Sequence, residues 1–304
     1  MNTFDTLRDD FFVDESYRWA QSTIDYYLFR LKPFFDYCHA ENITQPAQIT
    51  PRHLKRFFGV INKKYDSWHT RNGTYTVVQM FFCWMYSESH ISENTFERAG
   101  IKRPRKVRQV VNALQTDHII SMIQAAVAQP GMYATRNLAI MVLLLTTGMR
   151  RSELTTLAMN KVDLITGWVL ITGKGGHQRS VPLNADAVTV LQRWLAERPR
   201  TNANAVFITL HPDNMGRIYQ QMKPDNINDI LNRYRDLAGI PSTISVSPHK
   251  WRHAYATMLS RGGDPFSLQA LLGHSNISTT AIYVDKKPEA QRALVENYLP
   301  KLTL

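Results

Sequence analysis

Between Ile101 and Arg108 the chain reads IKRPRKVR, five basic residues in eight around a proline. Proline removes a backbone donor and locks φ, and clustered like charges repel one another, so this stretch reads as a linker. The chain on either side then has to be read as two bodies. At 304 residues it has the length for two domains. A hydrophobic fraction of 44% with 20% charged residues is enough to give each a core. The expected division is a helical domain at 1–100, a basic linker at 101–112 and a second domain at 113–304. The charge of the linker suits a course along a phosphate backbone; a solvated tether is the plain alternative.

The first hundred residues carry helical spacing. From Ser16 to His39, Trp19, Ile24, Tyr27, Leu28, Leu31, Phe34 and Phe35 recur at the period of one helix face. Thr50-Pro51 supplies a capping hydroxyl and a proline at the first helical position. The segment that follows, RHLKRFFGVINKKY, is apolar on one face and basic on the other. A third helix is expected over Thr70 to Ser87, its aromatic residues fitting a core better than a base-stacking platform.

A different pattern follows the linker. Thr116-Asp117 can cap a helix, and Thr135 to Thr147 forms an apolar one. Trp168 to Thr172 and Gln178 to Leu183 read as strands joined by a glycine-rich hairpin, Gly173-Lys174-Gly175-Gly176. Asn184 starts a helix to about Glu197, and Ala205 to Leu210 is either a strand or a buried apolar stretch. From Pro224 the pattern is helical, ending with a short helix from Pro288 to Leu299. The fold class is mainly α with a small antiparallel β-sheet, an α+β arrangement.

Charge narrows the partner. Lys and Arg number 36 against 25 Asp and Glu, a net charge of +11, which favours a polyanion: nucleic acid first, an anionic membrane surface second. The longest apolar run, Leu138 to Leu145, is far short of the roughly 18 residues of a membrane span. The N-terminus carries acids where a signal peptide carries a basic and then an apolar run. Cys38 and Cys83 have no metal-ligand spacing, and such sparse cysteine fits a reducing cytoplasm.

Residues able to do chemistry concentrate in the second domain. Arg150 follows a glycine at the end of an apolar helix, and Lys174 sits at the hairpin tip. His249 and Arg252 stand three apart at a helix start, on one face. His274 follows a glycine that ends a helix, and Tyr283 comes after it. Each has an ordinary explanation by itself: a surface ion pair, a solvated lysine, a packed histidine, one tyrosine of 13.

As a set, in this order, they resemble the tyrosine recombinase (phage integrase) family. TGMRRSEL resembles the family's TGLRxSEL, GKGGHQRSVPL its GKGxKxRxVPL, and HKWRHAYAT its HxLRHxxAT. LLGHSNISTTAIYV resembles the LGHxxxxTTxxYxxv that ends in the nucleophile. The resemblance runs through residues 110–290; the N-terminal helices resemble the family's core-binding domain less specifically.

The resemblance implies a clamp, with core-binding and catalytic domains on opposite sides of double-stranded DNA. It implies Tyr283 as nucleophile, forming a 3′-phosphotyrosine and leaving a free 5′ hydroxyl. Arg150 and Arg252 would hold the non-bridging oxygens, and Lys174 would protonate the leaving oxygen. His249 would assist proton transfer, His274 would donate to the phosphate, and Glu153 would orient the cluster. No metal and no cofactor are implied. Arg151, Trp251 and His177 depart from the family pattern without removing a catalytic group.

Members act as a homotetramer on two DNA sites, some with an accessory protein or partner recombinase, and the C-terminal helix would dock on a neighbouring protomer. The chain opens on the core-binding helices, with no arm-binding segment expected before them. Integration or excision of a mobile element is the leading role, and Xer-type dimer resolution the alternative. A non-cleaving DNA-binding protein of the same fold, and a type IB topoisomerase, share parts of the pattern.

Overall fold

The computed structural model describes residues 3–106, 114–173, 176–210, 219–261, 271 and 288–304. The chain divides into two units, Met1–Val110 and Val111–Leu304.

In the first unit, helix α1 (Phe4–Glu15) is capped by the Thr3 hydroxyl and turns Phe4, Leu7 and Phe11 inward. The expected helix from Ser16 begins later, as α2 (Gln21–Ala40), because residues 16–20 form the turn out of α1. Helix α3 (Pro51–Lys64) starts at the Thr50 cap and buries Leu54, Phe57, Phe58 and Ile61. Its opposite face exposes Arg52, Lys55, Arg56, Lys63 and Lys64. Helix α4 (Trp68–Ser87) buries Tyr75, Phe81, Phe82 and Trp84, so these aromatic residues are core. A short α5 (Thr95–Ala99) ends on Gly100 in the left-handed region. Phe34 sits at the middle of the core, edge-on to Phe4, Phe35, Phe57 and Phe82 at 5.4–5.8 Å. Such pairs add about 0.5–1.5 kcal/mol each beyond their burial.

The start of the linker lies against α4. The Trp68 indole donates to the Pro104 carbonyl at 2.9 Å, and Arg103 donates to Asn72 and Thr76 at 2.9 and 3.0 Å. Arg103 also lies over Tyr75 and Lys106 over Trp68. These cations serve intramolecular packing on α4, where aromatic faces attract them.

The second unit is built around α7 (Met132–Thr147), whose residues from Ala134 to Thr147 are all buried. Helices α6 (Thr116–Val127), α9 (Ala185–Glu197) and α11 (Pro248–Ser260) pack against it, and α10 (Pro224–Leu237) covers α6. With neighbours on every side, α7 has no polar face to keep, which explains its continuous apolar run.

The sheet is a three-stranded antiparallel meander of β1 (Val162–Asp163), β2 (Trp168–Thr172) and β3 (Gln178–Pro182). In its register Val169 faces Val181 and Ile171 faces Arg179. Strand β1 is too short for its pattern to be seen in sequence. Ala205 to Leu210 is the buried stretch and not a strand: Ala205 and Ile208 make isolated bridges, and Val206 and Phe207 fill the core.

Helix α12 (Pro288–Tyr298) lays Leu294 and Val295 into the core of its own unit. Arg292 donates to the Thr166 carbonyl and lies over Trp168, and the Leu302 amide donates to Asp186. In the single chain the apolar stripe of this tail packs on its own unit.

Candidate active site

The site is organised by the end of α7 and a five-residue helix, α8 (Arg151–Thr155). Helix α7 stops at Gly148, which takes φ 59 and ψ 25. A Cβ built there would lie 2.3 Å from the Tyr255 ring, so both backbone conformation and packing demand glycine. The turn frees the Gly148 carbonyl, which accepts a 2.6 Å hydrogen bond from the Arg252 guanidinium. Two residues on, the Arg150 amide donates to Glu153 at 2.8 Å, and its guanidinium donates to the same carboxylate at 2.8 Å.

Glu153 is the hub. Its carboxylate also receives two hydrogen bonds from Arg179 on β3, at 2.9 and 2.8 Å. The remaining Arg179 nitrogen, Nε, donates to the Leu271 carbonyl at 3.0 Å. Burial alone would raise the Glu153 pKa; the bonds from Arg179 and Arg150 overcome it and hold the carboxyl down at about 2. A Cβ on Gly173 would lie 3.3 Å from Glu153, so the root of the Lys174 hairpin abuts this carboxylate.

Helix α11 brings the third element. Pro248 at its first turn and the buried Trp251 and Tyr255 fix its rotation, which leaves His249 exposed and Arg252 buried. Arg252 is pushed down to about 10 by burial and by the charges of Arg150 and Arg179, and stays a full cation at neutral pH. Arg150, His249 and Arg252 line one open hollow of about 410 Å³, with Arg151, Ser152, Asn228, Ser247 and Pro248. Among the described residues the Tyr255 hydroxyl and the Trp251 indole nitrogen are buried without a hydrogen-bond partner. Burial raises the Tyr255 pKa and keeps the phenol neutral.

Two guanidinium groups converging on a hollow beside an imidazole form a cradle for a tetrahedral oxyanion. Comparison with known proteins places the chain in a family. Residues 112–290 match the phage integrase family. The chain belongs to that family. Among curated relatives, tyrosine recombinase XerC of Anoxybacillus flavithermus is 27% identical over 87% of this chain and 87% of its own. Tyrosine recombinase XerC 2 of Ralstonia nicotianae is 30% identical over 87% of this chain and 76% of its own. Among solved structures, a lambda integrase tetramer bound to a Holliday junction superposes with a TM-score of 0.70 at 17% identity, covering 94% of this chain and 78% of that one. The protein is a tyrosine recombinase of the phage integrase family, an enzyme of site-specific DNA strand transfer.

Of the six residues that integrase motifs singled out, the structure brings Arg150, His249 and Arg252 together. Lys174, His274 and Tyr283 lie outside the described residues. Arg179 was not given a role from sequence. Its only signal was a match to the arginine of the family's hairpin motif, and burial beside Glu153 emerges only with the fold. No helix among the described residues is long and apolar enough to cross a membrane.

Proposed function

We propose that this integrase-family chain cleaves and rejoins DNA through Tyr283, with Arg150 and Arg252 gripping the scissile phosphate. The observation that carries the reading is the convergence of Arg150, Arg252 and His249 on one hollow, with both arginines anchored from behind by Glu153 and the Gly148 carbonyl. Tyr283 Oη attacks phosphorus and the bond to the 5′ oxygen breaks. The phenol proton passes to His249, and Lys174 supplies a proton to the leaving oxygen. His274 donates to a non-bridging oxygen. The arginines stabilise the charge that builds on those oxygens in the transition state. Rejoining runs the same steps backward with a 5′ hydroxyl as nucleophile.

The domains fit this role as a core-binding domain at 1–100, a linker at 101–112 and a catalytic domain at 113–304. Together they would clamp double-stranded DNA, as a homotetramer on two sites in the cytoplasm, with or without an accessory protein or partner recombinase. We assign the reaction to integration or excision of a mobile element. A second reading, Xer-type dimer resolution, is favoured by the XerC relatives, whose likeness extends over 87% of this chain.

Trapping the covalent intermediate tests the chemistry. Nicked duplexes made from DNA flanking the gene, mixed with protein and run on a denaturing gel, should give an adduct that Tyr283→Phe abolishes. An adduct persisting in that variant would remove Tyr283 from the role. Salt-sensitive binding with no adduct on any fragment would favour a non-cleaving protein.

A further inference from the structure

Arg151 opens onto the same hollow as Arg150, His249 and Arg252, and no role has yet been given to it. We propose that Arg151 holds a second DNA phosphate, next to the one gripped by Arg150 and Arg252, and that Asp225 occupies Arg151 until DNA arrives. The inference rests on reading the hollow as a DNA phosphate site.

The charge balance points there first. Arg150, Arg151 and Arg252 line the hollow, and among the described residues no carboxylate does. A phosphodiester carries one negative charge and two non-bridging oxygens, which two guanidinium forks satisfy. A third arginine on the same surface is surplus to one phosphate. Along a DNA strand the next phosphate lies only about 3.4 Å further on the helix axis, within reach of an adjacent side chain. A hollow of about 410 Å³ leaves room beside the first group.

The anchoring separates the arginines as well. Arg252 is tied to the Gly148 carbonyl and Arg150 to the buried Glu153. Arg151 is paired instead with Asp225 at 2.7 Å, and these side chains are 48% and 84% exposed. Such a pair is worth little in water and exchanges readily for a phosphate. Asp225 stands in the first turn of α10, and Asn228, one turn further on, lines the hollow. Asn228, Ser152 and Ser247 supply neutral polar groups of the kind that position a DNA backbone.

The test is the salt dependence of binding, read by fluorescence anisotropy with the full chain and a 40-base-pair duplex of mixed sequence. Each phosphate neutralised contributes about 0.9 to the slope of log K against log salt. Arg151→Gln should lower the slope by about 0.9, and Arg151→Lys should restore it, since only the charge is counted. Asp225→Asn should tighten binding severalfold by releasing Arg151. An unchanged slope in Arg151→Gln would overturn the proposal. So would a loss seen only in the Arg150→Gln/Arg151→Gln double variant, which would mean one shared phosphate. Unchanged affinity in Asp225→Asn would overturn the part given to Asp225. Binding is read without cleavage, so failure to form the Tyr283 adduct would refute the strand-transfer reading and leave this result standing.

Discussion

Arg179 clasps both carboxylate oxygens of Glu153, at 2.9 and 2.8 Å, with the two side chains only 10% and 2% exposed. A buried ion pair is poor evidence of stability, because two desolvated charges repay their cost only with good geometry and further bonds. Here the further bonds are present. The same carboxylate receives the Arg150 amide and guanidinium, and Arg179 also reaches the Leu271 carbonyl. One glutamate thereby joins β3 to the start of α8 and fixes an arginine that faces the hollow.

Removing Arg179 leaves Glu153 with Arg150 as its remaining cation. Arg179→Gln is expected to destabilise the chain by about 1–3 kcal/mol, the usual cost of taking hydrogen-bond partners from a buried polar group. Urea unfolding of the full chain measures it. The Arg179→Gln/Glu153→Gln double variant should recover part of the loss, and additive losses would show that the pair does not act as a unit.

The Glu153 carboxyl is depressed from its usual 4.5 to about 2. A carboxylate held down in the folded state contributes stability that is complete above about 4.5 and disappears as pH falls toward about 2. The wild-type chain should therefore lose stability through that acid window more steeply than Glu153→Gln. Thermal unfolding at a series of pH values compares the two, and parallel curves would show that Glu153 does not carry the effect.

Gly148 answers two demands that different substitutions separate. Gly148→Ala meets both the left-handed backbone and the Tyr255 ring, and should cost about 2–4 kcal/mol from strain and overpacking together. Asparagine tolerates that backbone far better than alanine does. If the ring contact dominates, Gly148→Asn will be no more stable than Gly148→Ala. A full recovery in Gly148→Asn would place the whole effect in φ.

Arg252→Lys keeps a cation and loses the planar fork that spans the Gly148 carbonyl and the hollow. The rate of adduct formation on a nicked duplex should fall by about 10²–10³, the scale of losing one preorganised charge stabiliser. Binding of the same duplex should change by only a few fold. A rate within tenfold of wild type would show that the fork geometry is dispensable.

Much of the molecule was legible before any fold was known, where the signal is local. The Thr50-Pro51 start of α3, the Asn184 cap of α9 and the β2–β3 hairpin each depend on a few neighbouring residues whose backbone preferences agree with the structure. Arg150, His249 and Arg252 were legible for another reason: the motifs they stand in resemble those of the tyrosine recombinase family. Local signals failed where a partner distant in sequence decided the outcome. The linker segment holding Arg103 and Lys106 showed only charge and a proline, and nothing in it announced the aromatic residues of α4 that lie beside these two cations. Ala205 to Leu210 has strand composition but makes only isolated bridges, so it remains a buried connector. Arg179 and Glu153 lie 26 residues apart, on a strand and a short helix, and nothing in either segment announces the other. Residue order named the candidate groups; packing around α7 decided which of the described ones are buried, which are anchored and which stay open to a ligand, because desolvation and hydrogen-bond partnering are properties of the assembled core.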